Sequence, residues 1–217
     1  MSRRREKFRH LATTLALVML VASGCIFSPT PEPPVRPRQI QNPEDLIQVL
    51  ADAYRAQDFN KFEGLLAVDY LFVLNEPDPI TGETQWDRTT EYRIHQRMFD
   101  PENIPPGDPV LPAEDWLQTV SITLTAQGAF AERPDLYTTF DPPGPFDPTL
   151  WRAESSIYST DVFFQMPNDR AFQVRGRADF TVITDLTKNI GDPGKFLIFR
   201  WEDLEAPVAA STAVPSV

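Results

Sequence analysis

The sequence predicts an α+β domain with helices first and an antiparallel sheet after them. Three observations carry that expectation. Between Asn42 and Asn75 two helical patterns pass directly into a strand pattern. From Trp116 to Asp203 the chain turns to runs in which apolar and polar residues alternate, or in which β-branched and aromatic residues crowd together. The length, 217 residues of which 41% are hydrophobic, suffices for one domain with its own core plus some unfolded chain.

In the first helix Leu46, Ile47, Leu50, Ala53 and Tyr54 recur at helical spacing and form one apolar stripe. Asn42 suits the N-cap, and Pro43 suits the first helical position, where a missing N–H is not needed. Glu44 and Asp45 put negative charge at the positive end of the helix dipole. The pattern breaks near Gln57, and Asp58 caps a shorter helix carrying Phe59, Phe62, Leu65 and Leu66. Tyr70 to Leu74 reads as a strand bounded by Asn75, Pro77 and Pro79. A third helix is expected over Trp86 to Phe99, capped by Thr84 or Asp87, with Ile94 and Met98 as its buried seam.

Prolines at 101, 105, 106, 109 and 112 exclude a regular element between Asp100 and Glu114. Trp116 to Thr125 alternates as a half-buried strand, and a second Pro-rich loop runs from Ala126 to about Leu150. Trp151 to Met166 reads as a long strand with a bulge, because its apolar register shifts between Ile157 and the Val162–Phe164 run. After the turn at Pro167-Asn168-Asp169, Ala171 to Thr184 puts Phe172, Val174, Ala178, Phe180 and Val182 on one face. Gln173, Arg175, Arg177 and Asp179 take the other, and Gly176 interrupts the apolar row. Lys195 to Asp203 is apolar on both parities and so is expected to be a central strand.

The start of the chain reads as an export leader. Arg3, Arg4, Arg5, Lys7 and Arg9 precede an apolar run from Leu11 to Ala22, too short to span a bilayer. The run ends in Val21-Ala22-Ser23-Gly24-Cys25, which resembles a bacterial lipobox, whose cysteine is acylated and becomes the first mature residue. Cys25 is the sole cysteine, so a disulfide within the chain is excluded by count. Lipid attachment is therefore expected at Cys25, with residues 1–24 as signal peptide and 25–41 as a Pro-rich tether in extended conformation. Residues 42–204 form the domain and 205–217 a flexible tail. Ile26 as the second mature residue favours the outer membrane, facing the periplasm. The formal charge of −11 becomes more acidic once the basic leader is removed, which argues against nucleic acid or anionic lipid surfaces as partners.

The stretch LLAVDYLFVLNE, preceded by a helix and an Asp-capped short helix, resembles the opening of the NTF2-like superfamily, which includes SnoaL-like domains and ketosteroid isomerases. RGRADFTVI and FLIFRWEDL are similar to its later strands. The resemblance implies a cone in which N-terminal helices pack against a curved antiparallel sheet and enclose a cavity. A cystatin-like α+β sheet of unrelated function is the structural alternative. Laying the steroid isomerase pattern on the chain through Asp58 puts the catalytic tyrosine position at Leu50 and the catalytic aspartate position at Leu74. Neither leucine can move a proton.

Other chemistry finds little purchase. His95 is the only histidine after the leader, and no HExxH, CxxC, GxSxG or GxGxxG pattern occurs, so neither a metal nor a cofactor is expected. Glu114-Asp115 and Glu202-Asp203 carry no specific signal in so acidic a chain. The cavity candidates are Tyr92 and His95, three apart on the third helix, and Asp161. Against them stands a solvated helix face for the first two and an exposed strand position for the third. The functional expectation is a lipid-anchored envelope protein whose domain is a non-catalytic binding or scaffolding module, holding a small apolar ligand or meeting another envelope protein. The alternative is a SnoaL-type small-molecule isomerase or dehydratase acting in the cone cavity. A buried ionisable group facing that cavity discriminates between them.

Overall fold

The computed structural model describes residues 38–79, 81–104, 112, 116–136, 149–167 and 169–204. The leader, Cys25, most of the tether and the tail from residue 205 lie outside these described residues. Helix α1 spans Pro43–Ala56. The Asn42 side chain accepts the Asp45 N–H at 2.8 Å, and Pro43 occupies the first turn. It ends at Gln57, whose φ of 50° is the left-handed cap that lets the chain turn into α2. Helix α2, Phe59–Glu63, starts on the Asp58 cap. It is shorter than expected: Leu65 lies in the following turn, and Leu66 already begins strand β1, Leu66–Val73. The strand extends backwards because Leu65 and Leu66 are buried against the last strand of the chain, Phe196–Asp203, where the Ile198 N–H donates to the Leu65 carbonyl at 2.8 Å.

Strand β2, Gln85–Asp87, takes in Trp86, which the sequence had suggested for a helix; its ring instead stacks on Phe72 across the β1–β2 pair at 5.2 Å. Helix α3 then runs Arg88–Phe99 from an Asp87 cap that accepts the Thr90 N–H at 2.8 Å. The remaining strands are β3 Thr119–Ala126, β4 Ala131–Glu132, β5 Trp151–Gln165, β6 Ala171–Asp185 and β7 Phe196–Asp203. They form one sheet in the order β2-β1-β7-β6-β5-β3, with β4 also paired to β5. One pairing differs from an all-antiparallel sheet: β1 and β7, the first and last long strands, run parallel. A parallel pair needs a long crossover, and here the crossover is nearly the whole domain. The order of elements, two helices opening the domain and most of the sheet following, is the one that the resemblance noted in the sequence implies.

The sheet's two faces separate two clusters. On the inner face Leu46, Ile47 and Leu50 of α1 pack with Phe62, Tyr158, Phe180, Val182 and Trp201. Each fully buried aliphatic side chain contributes about 1.5–3 kcal/mol. On the outer face Ala67, Leu136, Ala153, Ile183 and Phe199 form a smaller cluster. The β5–β6 pairing is unbroken from Trp151 opposite Asp185 to Gln165 opposite Ala171, so the bulge expected in β5 is absent. Its apolar residues change parity because Trp151 and Ala153 serve the outer cluster while Tyr158 and Val162 serve the inner core. The bulge lies in β7 instead. Thr181 pairs with Arg200 but Val182 with Ile198, leaving Phe199 as the extra residue.

Candidate functional site

That bulge builds the site. By inserting Phe199 it turns Trp201 and Asp203 onto the inner face, where unbroken alternation would have put Arg200 and Glu202. Asp203 there borders a cavity of about 200 Å³ walled by Phe72, Trp86, Val162, Phe164 and Trp201, with Tyr54 from α1 and Glu91, Ile94, His95 and Met98 from α3. Thr160 also lines it, and pairs across the sheet with Gly176.

Helix α3 presents Glu91, His95 and Phe99, at i, i+4 and i+8, as its buried stripe. The expected seam of Ile94 and Met98 is only half-buried: both line the cavity, and Met98 also packs against the core. His95 is 4% exposed. Its ring stacks on Phe62 at 3.9 Å and meets Tyr54 and Phe99 edge-on. Nδ1–H donates to the Glu91 main-chain carbonyl at 3.0 Å, and Nε2 accepts the Tyr54 hydroxyl. Burial pushes His95 down to about 4 against the opposing pull of the Glu91 carbonyl, so the ring is neutral at pH 7. Its 3.5 Å approach to Glu91 Oε1 is then a long polar contact and not an ion pair.

Glu91 is 2% exposed. Burial first, and the Asp203 charge second, lift its carboxyl to about 8, against a lowering by the Tyr70 hydroxyl beside it. Its place in the first turn of α3 favours the charged form by about 0.3–1 kcal/mol, too little to offset burial. Neither Glu91 Oε2 nor the Tyr70 hydroxyl completes a hydrogen bond of good geometry. Asp203 accepts the Trp201 indole N–H at 3.3 Å and is raised to about 6 by burial. At pH 7 the pair therefore holds one proton, on Glu91, beside an ionised Asp203. Burial also pushes the Tyr54 and Tyr70 hydroxyls well up, so both remain donors.

The other candidates lie elsewhere. Tyr92 turns toward α2, donating to the Glu63 carbonyl at 3.1 Å, with Phe59 at its edge and Arg88 over its ring. Asp161 sits on the outer face of β5, 40% exposed, paired with Arg175 at 3.1 Å and accepting from Gln173 at 2.7 Å. Leu50 is core, and the tyrosine that reaches the cavity is Tyr54, one turn further along α1. Glu91 and Asp203 escaped the sequence reading. The Glu91-x3-His95-x3-Phe99 spacing marks a helical stripe, but its acidic first member disguises it. Asp203 depends on a bulge whose only trace is the doubled apolar parity of FLIFRW. Among the described residues no three His, Cys, Asp or Glu side chains come together as metal ligands, and no helix is long and apolar enough to cross a membrane.

No protein-family model and no curated protein matches the chain in sequence. Its structure is similar to that of a conserved protein from Planctomyces limnophilus, at 10% identity over 76% of this chain and 94% of that one, with a TM-score of 0.48. A proposed aromatic ring hydroxylase from Novosphingobium aromaticivorans is similar at 16% identity over 77% and 90%, with a TM-score of 0.45. A proposed scytalone dehydratase from the same organism is similar at 11% over 80% and 87%, with a TM-score of 0.44.

Proposed function

We propose that the domain is an acid–base enzyme for a small, largely apolar carbonyl or hydroxyl compound, of the isomerase or dehydratase class. We propose further that it is held at a bacterial envelope, at the periplasmic face of the outer membrane, through acylated Cys25. One observation carries the catalytic reading: two carboxyl groups border a single apolar cavity, and their surroundings push their protonation apart. In an enolisation Asp203 takes a proton from the carbon beside a carbonyl, and the C–H electron pair becomes the new C=C bond. Glu91 delivers its proton to the carbonyl oxygen. Reversal returns both protons, and return to a different carbon isomerises the substrate. Neutral His95, pinned by Tyr54 and Phe62, holds the Glu91 turn of α3 in place. The anchor reading rests on the basic start, the short apolar run, Ser23-Gly24-Cys25 and the prolines that follow.

The test is deuterium wash-in. Cyclohexanone in D2O should gain deuterium beside its carbonyl faster with the protein than without it. Asp203→Asn should abolish the gain while leaving the melting temperature within a few degrees of wild type. The rate should fall below about pH 6, where Asp203 gains a proton, and above about pH 8, where Glu91 loses one. Cyclohexanone binding without exchange across that range would make the domain a binding module and end the catalytic reading.

A further inference from the structure

Beyond the inner chamber lies a second space. A groove of about 330 Å³ is lined by Met98, Leu117, Phe164, Met166, Phe172 and Val174, and among the described residues Arg97 is the one charged side chain on its wall. The two spaces share a wall: Met98, Phe164 and Val174 line both. Phe164 and Phe172 pair directly across β5 and β6 on the inner face, and Phe172 is 47% exposed. Met98 is unbranched, half-buried and set between the two spaces, which makes it the side chain best able to change rotamer and join them.

Size decides what such an arrangement accepts. The inner chamber, at about 200 Å³, falls below the roughly 300 Å³ at which sites for drug-sized ligands begin. It suits a single ring or a short polar head. An apolar groove left open to water on the same face is costly for a protein unless something apolar covers it. Resting on the acid–base reading of the inner chamber, we infer that the substrate is elongated. Its single hydroxyl or carbonyl head lies between Glu91 and Asp203, and an alkyl or ring-chain arm passes Met98 to lie along Leu117, Phe164 and Phe172.

A 4-alkylphenol series from phenol to 4-octylphenol tests this by calorimetric titration of the full chain at pH 7. A phenol hydroxyl can donate to ionised Asp203 and accept from protonated Glu91. Affinity should tighten by about fourfold per methylene once the chain passes Met98, and then level off when the groove is filled. Phe172→Ser, at an exposed position, should flatten that rise while leaving phenol itself unchanged. Phenol that binds in an Asp203-dependent way while the series stays flat would overturn the groove and leave the acid–base site standing. A rise that Phe172→Ser and Leu117→Ser both leave intact overturns it as well, as does a series in which no member binds. A Phe172-sensitive rise that Asp203→Asn and Glu91→Gln do not alter at any length supports the groove and removes the proposed chemistry instead.

Discussion

Acidic side chains on the two faces of one sheet meet opposite fates. On the outer face Asp161 lies against Arg175 at 3.1 Å, and half-buried Asp179 has Arg133 at 3.5 Å. Arg133 also grips Asp135 at 2.9 Å and donates to Ser155. On the inner face burial is the largest influence on both Glu91 and Asp203, and what stands beside them is not a counter-charge: Glu91 has the Tyr70 hydroxyl and neutral His95, and Asp203 has the Trp201 indole N–H. A carboxylate that only supports a surface is given a counter-charge. One buried without a counter-charge is expensive to ionise, and its proton becomes available for chemistry.

The largest test of this contrast removes the wall of the inner cluster. Phe62 is fully buried, lies flat on the His95 ring and meets Tyr54 and Phe99 edge-on. Phe62→Ala should cost about 3–5 kcal/mol in urea unfolding, from lost burial plus the cavity left behind. The milder Phe62→Leu should keep the fold and let water nearer the imidazole, so that His95, followed by NMR, titrates above its present value of about 4. A loss under about 1 kcal/mol for the alanine variant would mean that the stack is not holding the cluster.

Local chemistry was legible in the sequence, and of the site His95 was while Glu91 and Asp203 were not, for reasons that particular residues make plain. Asn42, Asp58 and Asp87 cap their helices, with Pro43 in the first turn after Asn42, because capping acts over three residues and needs no tertiary information. The alternation of Phe172 to Val182 against Gln173 to Asp179 gives the two faces of β6 directly. Helix α3 went astray because amphipathicity ranks Ile94 and Met98 above Glu91 and His95, while in the fold all four line the cavity and the polar pair is the more deeply buried. Here local preference and the global fold disagree, which is where functional sites are expected to fall. Asp203 looked like any acidic residue in an acidic chain until the Phe199 bulge gave it a direction.

The second test concerns pH. Glu91 has a folded-state value of about 8 against an ordinary 4.5, so between these limits the folded chain holds a proton that the unfolded chain has lost. Its contribution to stability is full below about 4.5 and fades as pH rises through 8. Asp203 acts in the same direction up to about 6, and His95, lowered to about 4, acts in the opposite direction up to its ordinary 6.5. Above pH 6.5 Glu91 therefore stands nearly alone. Stability should fall by about 1–2 kcal/mol between pH 6.5 and 8. Glu91→Gln should flatten that slope in chemical denaturation at each pH. A slope that persists in the variant would assign the proton elsewhere.

The smallest effect is expected outside. Arg133→Ala removes the cation shared by Asp135, which is mostly exposed, and Asp179, which is not. Exposed pairs are worth about 0.2–1 kcal/mol, because water and salt already screen them and two side chains must be held still to make them. The loss should stay under about 1 kcal/mol and shrink further in 1 M salt. Asp179 should respond in its protonation instead. Burial already raises it, Arg133 and Ser155 hold it down, and with the guanidinium gone it should rise further while Glu91 and Asp203, across the sheet, keep their values. If Glu91 moved as well, the two faces would share one electrostatic network, and the separation between paired outer carboxylates and unpaired inner ones would no longer describe this protein.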